Sequence, residues 1–159
     1  METTIIQKES FMAVGVSLET LLKDERENRF IPKMHAEFEE RIHEIENRIN
    51  DNAIGIFIDP PNYDYKIDMF KWIAGVEVSQ IENIPDGMES ITIPQNTYAC
   101  TIYTGARDQA YQAYDYLYKW VQESEYELAD SYGIEQYKKV NIESSEEVMV
   151  LMFPIRKNR

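Results

Sequence analysis

The segments AIGIFIDP, residues 53–60, and YGIEQYKK, residues 132–139, share a Gly-Ile start inside a strand-like run. Superposing Gly55-Ile56 on Gly133-Ile134 sets the two stretches 78 residues apart and puts Phe57 opposite Glu135. Working outward, Gly75-Val76 matches Pro154-Ile155 at a separation of 79, and Phe11-Met12-Ala13 matches Tyr98-Ala99-Cys100 at 87. Strong identity is absent, so the order of elements carries the comparison.

That order reads β-α-β-β twice. Residues 4–19 are rich in β-formers and alternate in part, which predicts one strand, and the charged run 23–28 predicts an exposed loop. Ile31, Met34, Phe38, Ile42, Ile45 and Ile49 recur every three or four residues, one face of an amphipathic helix with Pro32 in its first turn. Residues 53–59 form a short apolar strand that stops at the PPNYD turn. Phe70, Trp72, Ala74, Val76 and Val78 alternate, so residues 69–79 predict a strand, and 88–105 predict another, interrupted near Pro94. A second helix runs from about Arg107 to Ser124 with Ala110, Ala113, Tyr114, Leu117 and Val121 on its inner face. Two strands, 132–140 and 146–155, close the chain. The alternative topology is a ferredoxin-like β-α-β-β-α-β with an added strand.

The expected fold is therefore α+β: a tandem β-α-β-β repeat with pseudo-twofold symmetry, an antiparallel sheet with two helices on one face, and a central ligand cleft. The chain of 159 residues reads as a single domain over 1–159, with repeat one at about 1–80 and repeat two at about 86–159. A cleft on the repeat axis is the natural ligand site, because pockets favour such junctions.

Composition narrows the function. The net charge of −13 opposes nucleic-acid binding and anionic membrane surfaces, both of which need Lys and Arg. It suits cationic small molecules or basic partners, although solubility alone also explains it. The eleven tyrosines exceed what core filling uses, since each buried hydroxyl needs a partner, so a pocket or interface accounts for them better. Cys100 is the only cysteine, which excludes an internal disulfide. No apolar run has the length of a membrane span and no secretion signal opens the chain, so a cytoplasmic location is expected. His35 and His43 lie eight apart, two helical turns, too far for one metal. No nucleophile elbow, phosphate loop or dinucleotide turn occurs, and no cofactor is implied.

Read from its residues alone, Glu135 is a strand glutamate facing solvent near Lys138 or Lys139. A family resemblance changes that reading. The segments FKWIAGVEV (70–78), WVQESEYEL (120–128), GIEQY (133–137) and FPI (153–155), in this order, resemble the GyrI-like effector-binding domains. These are stand-alone proteins and the small-molecule-binding domains of bacterial multidrug-responsive transcription regulators. The resemblance implies a central cavity lined by aromatics, with a glutamate in an E-x-Y pattern on the penultimate strand. Here these are Glu135 and Tyr137, which share a strand face. It further suggests Phe57, Trp72 and Tyr103 as lining, and a cationic or aromatic small molecule as ligand.

Three functions follow from the resemblance. One is a non-catalytic binder of lipophilic cations. Another is a hydrolase of strained, cyclopropane-containing electrophiles, with Glu135 as base or charge stabiliser and Tyr137 or Tyr103 as proton donor. The third is a regulator acting through a protein partner. Family regulators carry a helix-turn-helix domain, for which 159 residues leave no room beside this fold, so direct nucleic-acid binding is not expected. Exposed tyrosines on the second helix leave a homodimer open. One carboxylate with aromatics suffices for binding, whereas catalysis needs a second positioned group, so binding is the favoured function.

Overall fold

The computed structural model describes residues 1–138 and 147–158. Lys139, Val140 and Glu146, read above as strand residues, lie outside that range. Nine strands and three α-helices are described. The chain forms two compact units, Ser10–Pro94 and Met1–Glu9 with Gln95–Arg159.

In the unit Ser10–Pro94 the strands are β2 (Phe11–Thr20), β3 (Ile54–Ile58), β4 (Phe70–Val78) and β5 (Glu89–Ile93). Their order is β3-β4-β2-β5, with every pairing antiparallel. Phe57 pairs with Trp72, Val14 with Val76 and Gly15 with Gly75. Trp72, Ala74, Val76 and Val78 point to one face and are all buried, as their alternation requires. Helix α2 (Phe30–Glu39) packs on that face through His35 and Phe38.

Two expectations for this unit change. The charged stretch 23–28 is not a loop but most of helix α1 (Leu22–Asn28), which ends at Arg29 in a left-handed conformation, φ 56°. Glu25 holds the junction by accepting the Ile31 backbone N–H at 3.1 Å. The long helix read through Ile49 stops at Glu39. A 3-10 turn, Ile42–Glu44, then keeps Ile42 and Ile45 buried, so their three-residue spacing survives without an α-helix. Asn47 takes φ 64°, which an α-helix cannot accommodate. The Arg48 guanidinium satisfies the freed Ile45 carbonyl at 2.5 Å, and Ile49 donates to the Glu77 carbonyl on the flank of β4 and is itself exposed.

The other unit contains β1 (Thr4–Lys8), β6 (Asn96–Gly105), β7 (Tyr126–Leu128), β8 (Tyr132–Lys138), β9 (Glu147–Lys157) and helix α3 (Tyr111–Glu123). Its order is β1-β6-β9-β8, again antiparallel, with β7 on β9. The single strand expected over residues 4–19 is thus two strands. β1 pairs with β6, and β2 pairs with β4 and β5. The β-formers on either side suggest one strand, but the polar run Gln7-Lys8-Glu9-Ser10 between them holds the break at Glu9-Ser10. Three α-helices replace the expected two.

Helix α3 buries Ala113, Leu117 and Val121. Tyr114 and Tyr118, one turn apart, lay their rings against Phe153 of β9 at 5.9 and 4.5 Å between centroids. The face of this sheet that carries Phe153 is therefore the face under α3. Full burial of side chains such as Leu117, Ile134, Leu151 and Phe153 contributes about 1.5–3 kcal/mol each.

Asp59, just after β3, gives a pH test of this packing. Burial raises its carboxyl from 3.8 to about 6. The folded state thus prefers the protonated form. The resulting stability is complete below the ordinary carboxylate value and is lost as pH rises through about 6. Asp59→Asn is expected to match the wild type in urea unfolding near pH 4 and to exceed it at pH 7. A gap that does not widen between the two pH values would remove the burial argument.

Candidate ligand-binding site

Glu135 stands in β8 opposite Leu151, which lies between Met149 and Phe153 on the α3 face of β9. Its side chain is buried, 9% exposed. The register explains the burial, because parity puts Glu135 and Tyr137 on the face where α3 sits. Lys138 is exposed on the other parity, and Lys139 lies outside the described residues.

A buried carboxylate costs several kcal/mol unless it is hydrogen-bonded or paired. Two phenols answer that cost. Tyr114 of α3 donates its O–H to Oε2 of Glu135, and Tyr137 donates to Oε1. Burial and then the Glu135 charge push the Tyr114 phenol well above its ordinary range, so it remains a donor at every physiological pH. Its ring is held by Phe153, so the helix delivers this hydroxyl from a fixed position.

Tyr103 of β6 shares the face. It pairs with Met149, the residue that also pairs with Tyr137, so Tyr103, Met149 and Tyr137 form one row. The neighbouring row is Thr101, Leu151 and Glu135. Tyr103 is buried and donates its hydroxyl to the Ala106 carbonyl at 2.5 Å. That hydroxyl lies 2.9 Å from where a Cβ on residue 105 would stand, and Gly105 has φ 151°, so glycine fits both demands there.

Phe57 and Trp72 belong to the unit Ser10–Pro94, where they are direct cross-strand partners and both buried. The Trp72 indole N–H donates to Nε2 of His35 at 2.9 Å, with the two rings edge-on at 6.0 Å. The structure thus gathers Glu135, Tyr137 and Tyr103 on one sheet face, and Phe57 and Trp72 on one face of the other unit. His35 is therefore the indole's acceptor, while His43 is exposed. No group of three or more His, Cys, Asp or Glu suited to a metal occurs among the described residues.

Tyr114 is the residue that sequence reasoning missed. Its helical spacing marks it as inward, but nothing in a linear pattern links position 114 to position 135. Only the packing of α3 across β8 and β9 makes that contact.

Chemically, the Glu135 cluster is an anionic centre set among aromatic rings. Within the described residues no helix is long and apolar enough to cross a membrane.

Several solved structures share this fold. The structure of SAV2435 bound to tetraphenylphosphonium superposes with a TM-score of 0.76 at 16% identity, covering 98% of this chain and 94% of that one. The EcmrR C-terminal domain gives 0.71 at 17% identity, covering 99% and 98%. A hydrolase encoded by lin2189 from Listeria innocua gives 0.56 at 8% identity, covering 98% and 92%. Among curated proteins, none matches the chain. The family model for the GyrI-like small-molecule-binding domain matches residues 1–156. With the model running through both units, the chain belongs to the GyrI-like family of small-molecule-binding domains.

Proposed function

We propose that this protein binds lipophilic aromatic cations, with Glu135 supplying the charge and Tyr137 and Tyr103 supplying flat apolar contact. The observation that carries this reading is the buried Glu135 carboxylate beneath α3, held by the Tyr114 and Tyr137 hydroxyls, with Phe153 against the Tyr114 ring. A bound cation stabilises such a charge, and each aromatic face over it adds roughly 0.5–2 kcal/mol. Charge and flat contact demand little shape, so several ligands suit one site. The tetraphenylphosphonium held by a protein of the same fold is a cation of this kind. Phe57 and Trp72, which the family resemblance suggests as lining, pair with each other within the unit Ser10–Pro94.

A thermal-shift series tests the proposal. Tetraphenylphosphonium at about a hundred times its dissociation constant contributes about 2.7 kcal/mol. For a chain of this length that raises the melting temperature by roughly 5–10 °C. Neutral and anionic aromatics of similar size are expected to give little or no shift. No response to tetraphenylphosphonium, or an equal response to the neutral and anionic compounds, would overturn the reading.

A second function, hydrolysis of strained electrophiles, draws on the two phenol donors touching Glu135 and on the hydrolase that shares the fold. Glu135 would act as base on water and Tyr137 as proton donor. Product release from a cyclopropane-containing substrate, abolished by Glu135→Gln, distinguishes turnover from binding.

A further inference from the structure

We infer that the Glu135 site selects cations that carry no N–H donor, such as phosphonium and quaternary ammonium ions, over primary ammonium ions built on the same aromatic frame. The inference rests on the cation-binding reading above and specifies its ligand class.

The geometry behind it is the double engagement of the carboxylate. Oε2 accepts the Tyr114 hydroxyl and Oε1 accepts the Tyr137 hydroxyl. A carboxylate has room for about four hydrogen bonds, and one strong donor already occupies each oxygen. Neither donor yields easily. Tyr114 is packed on Phe153, and Tyr137 stands two residues along the same strand as Glu135. Two neighbouring hydroxyls of this face are also engaged. Tyr103 donates to the Ala106 carbonyl, and Thr101 donates to the Glu2 carbonyl at 2.9 Å.

A primary ammonium is compact and strongly hydrated. On entering a buried site it loses the water bonds of three N–H groups and must replace them. At Glu135 the two phenols already take about half of the carboxylate's acceptor sites, so the three N–H groups cannot all be satisfied there without displacing one. A quaternary or phosphonium ion has no N–H to satisfy. Its charge is spread beneath apolar surface, so it gains the field of the carboxylate without displacing either tyrosine. The rings of Tyr114, Tyr118 and Phe153 suit that apolar coat.

The test uses a matched pair, 4-phenylbenzylammonium and its N,N,N-trimethyl derivative, titrated calorimetrically into the full chain with tetraphenylphosphonium as reference. The wild type is expected to favour the trimethyl ion at least tenfold. In the double variant Tyr114→Phe, Tyr137→Phe both phenol donors are removed from the carboxylate, and the preference is expected to fall at least fivefold. An unchanged preference would mean that the added methyl surface alone discriminates, which overturns the inference. A wild-type preference below about twofold does so too. If none of the three cations binds, the cation-binding reading itself fails. Should the double variant unfold, Tyr137→Phe alone decides, since that ring is half-buried, and a fall of at least twofold is expected.

Discussion

Glu135→Gln is expected to weaken tetraphenylphosphonium binding tenfold or more while leaving the fold intact. The substitution keeps the shape of the side chain and removes its charge. A unit charge pair 4 Å apart at an effective dielectric of 20 is worth about 4 kcal/mol before the dehydration of both ions is subtracted. A tenfold loss corresponds to about 1.4 kcal/mol, so it asks for only part of that attraction. Folding is expected to tolerate the change. The Gln carbonyl still accepts one phenol, and its amide can donate to the other phenol oxygen after a rotation of that hydroxyl. Removal of a buried charge also relieves a desolvation cost. Calorimetric titration of both proteins at one fixed salt concentration gives the comparison. Equal affinities would show that the carboxylate does not recognise the cation, and the binding proposal would lose its foundation.

Gly15→Ala is expected to be among the most destabilising single-methyl additions in the chain. Gly15 and Gly75 face one another across β2 and β4. A Cβ on Gly15 would lie 2.0 Å from the Ala74 carbonyl oxygen and 2.5 Å from the Gly75 Cα. Both obstacles are backbone atoms of a paired strand, so neither can rotate aside. A Cβ on Gly75 would meet the Val14 carbonyl oxygen at 3.0 Å, a tight contact that a small shift relieves. Overpacking of this kind costs typically 1–3 kcal/mol, and the backbone clash puts Gly15→Ala near the upper end, about 3 kcal/mol. That is a fall of roughly 6–12 °C in melting temperature. Gly75→Ala should lose less than half as much. Urea unfolding of the two variants measures the difference. Similar costs for both would contradict the close approach of β2 and β4 at this pair.

Much of the fold is legible in the sequence. The alternation of Phe70 to Val78 and the helical spacing of Ala113, Leu117 and Val121 correspond to β4 and the buried side of α3. The interruption near Pro94 separates β5 from β6. Register is less legible. Leu18 pairs with Trp72, and Thr101 with Leu151. A slip of two or four residues keeps every side chain on its proper face, so alternation cannot fix such pairings. Helix ends were hidden for a related reason. Ile42 and Ile45 remain buried whether the backbone is α-helical or turns through a 3-10 segment.

From sequence alone came the class of the fold, the parity that puts Glu135 and Tyr137 on one strand face, and the acidic composition. These properties are local or additive, and they need no knowledge of what packs against what. Tertiary structure alone decided that α3 lies over that face, that Tyr114 and Tyr137 engage the two oxygens of Glu135, and that Trp72 spends its indole N–H on His35. Contacts between residues 21 and 37 positions apart depend on helix placement and sheet register, and no periodicity encodes those distances.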